Sequence, residues 1–200
     1  MKIGSIIKQR NSGIEGDNIA VVHVSGCNFK CRFCHNPIPD HDDMPDHTPD
    51  TPNQAVIDFF RLNRNSLSEV YITGGEPTLQ NDLPAFLIFI RSLGLRIKIK
   101  TNGTNPEMLQ KIIRMNLADN ILMDVKAGFS SDEYEKITGV PCDDIVDKVL
   151  RSILLIKDSG ISHEFYTVID PEVHTDASID EIQSFLAGSS YIKQKMDIDE

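Results

Sequence analysis

Cys27, Cys31 and Cys34 stand in the run SGCNFKCRFCHNP (25–37) with the spacing CxxxCxxC, so three of the chain's four cysteines fall in one short loop. Short runs of thiolates at such spacing ligate iron–sulfur clusters. A [4Fe–4S] cube has one iron more than three cysteines can hold. The spare iron is a place for a substrate or cofactor to chelate. The competing reading is a Cys₃His zinc site completed by His35. Structural zinc sites usually set paired CxxC units well apart, each pinning a turn. Here every candidate ligand lies in one loop, which favours iron. Cys142 follows Pro141 far along the chain. It reads as an ordinary thiol, with a fourth cluster ligand as the alternative.

Three further motifs carry polar or bare-backbone chemistry. In Gly74-Gly75-Glu76-Pro77 two glycines let the backbone approach a ligand without Cβ interference. Glu76 offers a carboxylate there, and Pro77 holds it extended. A carboxylate beside bare backbone suits a ligand's ammonium group; the plainer reading is a strand-to-helix turn. Asn102-Gly103 is either a second ligand loop or a turn. Asp124 and Lys126 lie two apart on an expected strand, so their side chains share a face. On an inner face they need a partner or a polar ligand, and a structural ion pair is the alternative.

These motifs must be positioned by regular elements. IAVVHV (19–24), EVYIT (69–73), RIKIK (96–100), NILMDV (120–125), HEFYTVI (163–169) and YIKQKM (191–196) read as strands. KIGSIIK is a candidate strand at the edge. Between them lie helix signals. Thr51-Pro52-Asn53-Gln54 has an N-cap threonine, a first-turn proline and a glutamine three residues after the cap. Val56, Phe59 and Phe60 then share a helical face. Asp82 or Asn81 caps LPAFLIFIRSLG, which stops at Gly94. Asn105-Pro106 opens EMLQKIIRMN. Ile145, Val149, Ile153 and Ile156 make one stripe ending at Gly160. Ser178-Ile179-Asp180-Glu181 reads as a capping box for a helix closed by Gly188. Strands alternating with helices give an α/β fold with a parallel sheet and right-handed crossovers. Ligands of such folds bind at the C-terminal ends of the strands. The cysteine loop, GGEPT, TNGT and DVK each fall at one of those ends.

The chain has 200 residues and a formal net charge of −10, from thirty acids against twenty bases. Its length suits one large domain or two small ones, and no linker or repeat divides it. An acidic chain is a poor general binder of nucleic acid. No run reaches signal-peptide or membrane-spanning length, so a cytoplasmic location is expected, with no membrane partner. In that compartment clustered thiols are metal ligands rather than disulfides. The segment PIPDHDDMPDHTPDTP (37–52) reads as an exposed acidic, proline-rich loop, with an adventitious metal site at His41 and His47 as the sharper alternative.

Taken together, CNFKCRFC, TGGEPT, KTNG and MDVK resemble the radical S-adenosylmethionine superfamily. The stretches CHNP (34–37), TGGEPTLQNDLPAF (73–86), MDVKA (123–127), YEKITGVP (134–141) and EFYTVIDPEVHT (164–175) look like its glycyl-radical enzyme activating proteins. They are closest to the group that activates anaerobic ribonucleotide reductase. The resemblance spans nearly the whole chain and implies one radical S-adenosylmethionine domain over 1–200, with a cluster loop at 25–37. The implied fold is a partial (β/α)₆ TIM-like barrel. The implied cofactors are a [4Fe–4S] cluster and S-adenosylmethionine. The implied activity is reductive cleavage of S-adenosylmethionine to a 5′-deoxyadenosyl radical, which installs a glycyl radical on a partner enzyme. That partner would be anaerobic ribonucleoside-triphosphate reductase, with flavodoxin or ferredoxin as electron donor.

Carried over by residue, the resemblance makes Cys27, Cys31 and Cys34 the cluster ligands and sets Phe33 beside the adenine. It places Gly74, Gly75 and Glu76 at the methionyl ammonium. Asn102, Asp124 and Lys126 fall along the ribose or carboxylate side. No amino acid is implied as radical initiator. The chain departs from the pattern in three places. Lys100 stands where relatives commonly carry an aspartate that helps hold a cation, so its ammonium is expected to take the cation's place. Tyr166 stands where an arginine is common, keeping a hydrogen-bonding tip without permanent charge. The chain also stops soon after the sixth strand, as a compact member or one lacking a C-terminal cover. Two other functions stay open. One is a radical enzyme acting on a small metabolite, like 7-carboxy-7-deazaguanine synthase. The other is a non-catalytic metal-binding module.

Overall fold

In the computed structural model, which describes residues 1–10, 18–34 and 53–196, seven strands form one sheet whose order follows the sequence. They are β1 (Ile3–Arg10), β2 (Asn18–Val24), β3 (Glu69–Gly74), β4 (Arg96–Thr101), β5 (Asn120–Asp124), β6 (Ser162–Ile169) and β7 (Ser190–Lys195). β1 runs antiparallel to β2, and every later neighbour pair is parallel. Among the described residues β1 and β7 do not pair, so the sheet is an unclosed, six-strand parallel barrel with an added edge. This is the partial α/β barrel expected, and KIGSIIK is its edge strand.

The crossovers carry α1 (Asn53–Asn63), α2 (Leu83–Ser92), α3 (Pro106–Arg114), α4 (Ser131–Thr138), α5 (Ile145–Ser159) and α6 (Asp176–Phe185). Strand register sorts the side chains into two faces. Val22, Ile72, Ile99 and Ile121 are mutual partners along one row, all fully buried in the core that the helices cover. Burying each such side chain contributes about 1.5–3 kcal/mol. The other face carries Tyr71 opposite Lys98, and Asp124 opposite Tyr166, all half-buried. A closed barrel fills its interior with branched apolar side chains. This open one keeps a polar inner face.

Caps explain where helices begin. Asn105 Oδ1 accepts from Met108 N at 3.1 Å, with Pro106 in the first turn, as the sequence indicates. Gly160 ends α5 in the left-handed region, and Ile145, Val149, Ile153 and Ile156 face the core. Three expectations need correction. Asp82 stands at the N-cap of α2 without capping it, because its backbone (φ −94°, ψ 6°) is not the extended one that a side-chain cap needs. The capping box of α6 begins at Thr175, and Ser178 is its third helical residue rather than its cap. α4 was not expected as a helix, although Ser130 caps it through Glu133 N at 3.3 Å. The proposed Thr51-Pro52 cap, the acidic loop 37–52 and His35, His41 and His47 lie outside the described residues. No helix among the described residues is long and apolar enough to cross a membrane.

Candidate cofactor site

A cavity of about 220 Å³ opens where the C-terminal ends of the strands meet the cysteine loop. Cys27, Cys31, Cys34 and Phe33 line it from the loop after β2. Gly74 and Gly75 line it from β3, Lys100 and Asn102 from β4, and Asp124 and Lys126 from β5. The structure thus brings together every proposed site residue except Glu76.

Glu76 is 1% exposed and is not among the residues that line the cavity. Its Oε1 accepts from Thr78 N (3.0 Å), Thr78 Oγ1 (2.6 Å) and Thr101 Oγ1 (2.8 Å). Its Oε2 accepts from Asn102 N at 2.7 Å. Burial pushes its carboxyl pKa up, and these four donors pull part of that back. The Glu76 carboxylate thus forms a strut between the ends of β3 and β4. Sequence cannot show this, because two of the donating residues lie some 25 positions away. What faces the cavity here is the bare backbone of Gly74 and Gly75.

Gly75 also sets how closely β3 meets the cysteine loop. Gly75 N donates to Val24 O and Glu76 N to Gly26 O, both at 2.8 Å. A Cβ on Gly75 would stand 2.0 Å from Gly26 O. Gly75→Ala is expected to lower the unfolding free energy by about 1–3 kcal/mol through this overlap. The urea midpoint measures it, and an unchanged midpoint would disprove the close approach.

Asp124 is the electrostatic centre. Lys126 Nζ lies 2.8 Å and Lys100 Nζ 3.3 Å from Asp124 Oδ2. Burial pushes the Asp124 carboxyl up, but the two ammonium groups outweigh it and hold the acid below its ordinary range. Burial likewise pulls the Lys126 ammonium down, and Asp124 together with Cys31 and Cys27 more than restores it. Two cations on one carboxylate leave a local positive excess. Lys126 Nζ also lies 5.8 Å from the Phe33 ring centre. β5 ends at Asp124, so Lys126 reaches the carboxylate from just beyond the strand rather than from within it.

The thiols sit in that field. Burial raises the Cys27 pKa to about 11, opposed by the Phe29 N–H and by Lys126. Burial also raises Cys31, again opposed by Lys126. Such thiols stay protonated until a metal displaces the proton. Among the described residues no three of His, Cys, Asp or Glu already stand at metal-ligating spacing. The loop brings its three sulfurs to one cavity without closing them on a point. A donor set of three thiols beside paired ammonium groups and bare backbone fits an anionic iron–sulfur cluster with a chelating ligand. Cys142 lies apart, its Sγ donating to Val140 O at 3.1 Å in the core, as expected of an ordinary thiol. Tyr166 is not on the cavity, and its hydroxyl donates to Glu164 Oε2 at 2.7 Å.

The sequence reading missed two kinds of residue. His23 lines the cavity from β2, and its Nδ1 is buried without a hydrogen-bond partner among the described residues. Strand alternation alone could have turned it inward. α4 was missed as a brace for the loop. Lys30 N donates to Thr138 O at 2.7 Å, and the chain then turns at Gly139 (φ 68°). A Cβ there would stand 2.9 Å from Lys30 O.

The chain matches the family model "Radical SAM superfamily" over residues 21–186. Two proteins of Methanocaldococcus jannaschii are similar. "Putative glycyl-radical enzyme activating enzyme MJ1227" is 33% identical over 171 residues, 82% of this chain and 66% of that protein. The second, of the same type, is 30% identical over 200 residues, 92% of this chain and 72% of that protein. The chain thus spans about two thirds of the first relative. A "Probable GTP 3′,8-cyclase" of Saccharolobus islandicus is 31% identical over 150 residues, 74% of this chain but 45% of that protein. Among solved structures, Streptococcus suis SuiB bound to precursor peptide SuiA aligns with a TM-score of 0.62. The identity is 19%, over 86% of this chain and 37% of that one. Native anSMEcpe with bound AdoMet gives 0.57 at 17%, over 86% and 49%. At these identities the structures show a shared fold.

Proposed function

The chain belongs to the radical SAM superfamily, and on that premise we propose that it is a glycyl-radical enzyme activating enzyme. Its cofactors are a [4Fe–4S] cluster and S-adenosylmethionine. When bound, they supply one-electron cleavage of the sulfonium and, with it, a radical able to take hydrogen from carbon. In this proposal Cys27, Cys31 and Cys34 hold the cluster. The Gly74–Gly75 backbone and Asn102 flank the methionyl part, and Phe33 lies by the adenine. The observation that carries the reading is the meeting of three thiols, bare glycine backbone and a doubly paired Asp124 on one cavity. The names of the M. jannaschii relatives point the same way.

The protein's own side chains then have defined tasks. Lys126 and Lys100 offset the negative charge of thiolates and of a ligand carboxylate. Phe29 and Phe33, both buried, keep water from that side of the cavity. The partner is a glycyl-radical enzyme, of which anaerobic ribonucleoside-triphosphate reductase is the first candidate. Flavodoxin or ferredoxin is the electron donor in this proposal. Anaerobic incubation of the reconstituted protein with dithionite and S-adenosylmethionine tests it by formation of 5′-deoxyadenosine. Adding the reductase then yields a glycyl radical seen by electron paramagnetic resonance. 5′-Deoxyadenosine without a radical on any glycyl-radical enzyme would favour the second reading, a small polar substrate. The half-buried Tyr71, Lys98 and Tyr166 of the inner face favour that reading, as does the likeness to a cyclase.

Lys100 in this proposal does the work of a bound cation. Lys100→Asp would set a second carboxylate beside Asp124. It is expected to weaken S-adenosylmethionine binding roughly tenfold, about 1.4 kcal/mol, and to make it depend on added potassium or sodium. Calorimetric titration with and without those salts measures the effect. Equal affinity in both would show that no cation site had been replaced.

A further inference from the structure

The cysteine loop alternates. From residue 26 to residue 33 the odd-numbered Cys27, Phe29, Cys31 and Phe33 line the cavity. The even-numbered residues are gripped from outside it. Gly26 O accepts from Glu76 N at 2.8 Å, Lys30 N donates to Thr138 O at 2.7 Å, and Arg32 N donates to Ile137 O at 3.4 Å. The loop, which bends at Asn28 and turns at Arg32–Phe33, is thus held by backbone bonds at Gly26, Lys30 and Arg32 while Cys27 and Cys31 line the cavity.

Two side chains carry the clamp, and neither lines the cavity. Asn28 Oδ1 accepts from Asn102 Nδ2, and Asn28 Nδ2 donates to Thr104 Oγ1, both at 2.9 Å. Asn102 Oδ1 in turn accepts from Thr104 Oγ1 at 2.7 Å, which closes a ring of three side chains. The Asn102 amide also reaches to 4.0 Å from Cys27 Sγ. At the other end Arg32 lies 2.7 Å from Glu172 and 3.4 Å from the fully buried Asp170 carboxylate. Glu172 N donates to Asp170 Oδ1 at 2.9 Å, leaving Oδ2 toward the guanidinium. Asp170 follows the end of β6, so Arg32 ties the loop across the mouth from β2.

We propose that Asn28 and Arg32 are the positioning residues of the cysteine loop. Asn28 sets Cys27 against the end of β4, and Arg32 sets Cys31 and Phe33 against the end of β6. The inference rests on the proposal that the three cysteines hold the cluster. A loop without regular structure must present three sulfurs to one cube. Outer partners that orient ligands typically change metal affinity or activity by about 10- to 100-fold. Arg32 is half exposed and Glu172 is exposed, so that pair contributes little to folding, but the fully buried Asp170 carboxylate would be left unpaired without Arg32. A merely structural role for it would leave metal retention unchanged.

The test uses the full chain and the variants Asn28→Ala, Arg32→Ala and Arg32→Lys, reconstituted anaerobically with iron and sulfide. Loss of iron to a ferrous chelator is expected to be about 10- to 100-fold faster in both alanine variants, with Arg32→Lys between. The urea midpoint of metal-free Arg32→Ala is expected to fall, because the buried Asp170 carboxylate loses its partner, so iron loss is measured without urea, where circular dichroism shows each protein folded. In the metal-free proteins, alkylation by iodoacetamide, located by mass spectrometry, speeds up at Cys27 in Asn28→Ala and at Cys31 in Arg32→Ala. Iron loss at the wild-type rate in both alanine variants would overturn the inference. So would acceleration at all cysteines alike. A wild-type chain that takes up no iron would instead overturn the cluster reading, and the alkylation pattern would then decide the positioning claim.

Discussion

Cys31→Ala, reconstituted with iron and sulfide, is expected to lose the visible absorbance of a [4Fe–4S] cluster. It should form 5′-deoxyadenosine more than about 100-fold more slowly than the wild type, since even outer-shell changes cost 10- to 100-fold. Cys31 is partly buried against the core, so losing its sulfur leaves the fold in place. Circular dichroism should match the wild type. Cys27→Ala and Cys34→Ala should behave alike. Cys142→Ala is the contrasting control. Its thiol is 1% exposed and bonded within the α4–α5 connection. That variant should lose about 1 kcal/mol of stability, the ordinary cost of a core change, and keep its iron and its activity. Full iron content in Cys31→Ala would remove that residue from the ligand set, and equal loss in Cys142→Ala would make Cys142 a fourth ligand.

Asp124→Asn is expected to destabilise the protein by about 3–5 kcal/mol at neutral pH. Removing one partner of a buried pair leaves the other charge uncompensated. The side chains of Asp124 and Lys126 are 14% and 13% exposed, which puts the pair in that regime. The pH dependence follows from the lowered Asp124 pKa. The unfolded chain takes up the proton first, so over that interval stability rises with pH. Asp124 therefore stabilises the wild type fully above its unfolded value of 3.8, and this is lost as pH falls through the lower folded value. Urea midpoints of the two proteins should differ by a constant amount from pH 5 to 7 and converge below pH 3.8. A variant within about 0.5 kcal/mol of wild type would mean that water, not Asp124, satisfies Lys126.

Local rules reached far into this fold. Short β-branched or apolar runs located all six parallel strands to within a residue or two, because strand propensity and apolar content are properties of each segment alone. Asn105-Pro106 opened α3 for the same reason, since a cap needs partners only three residues on. Asp82 shows the limit of such rules. Its type and place suit a cap, yet its folded backbone (φ −94°, ψ 6°) is not the extended one that a side-chain cap needs. α6 shows a smaller failure. Both Thr175 and Ser178 have cap chemistry, and the folded backbone used the earlier one. α4 was overlooked because its short run SDEYEKIT carries little apolar signal, although Tyr134 and Ile137 are fully buried.

The amino-acid order by itself determined which chemistry the chain can hold: three thiols at fixed spacing, a bare glycine pair, and an acid and a lysine two residues apart. Each depends on neighbours along the chain. Only the tertiary structure decided how those groups are used. It made Glu76 a strut to Thr101 and Asn102, gave Asp124 a second ammonium from β4, and put Asn28 and Arg32 behind the sulfurs. A carboxylate's or an amide's partners are chosen by strand order and register, which join residues far apart in sequence. Once burial removes water, those distant donors, and not the motif, set what each group can do.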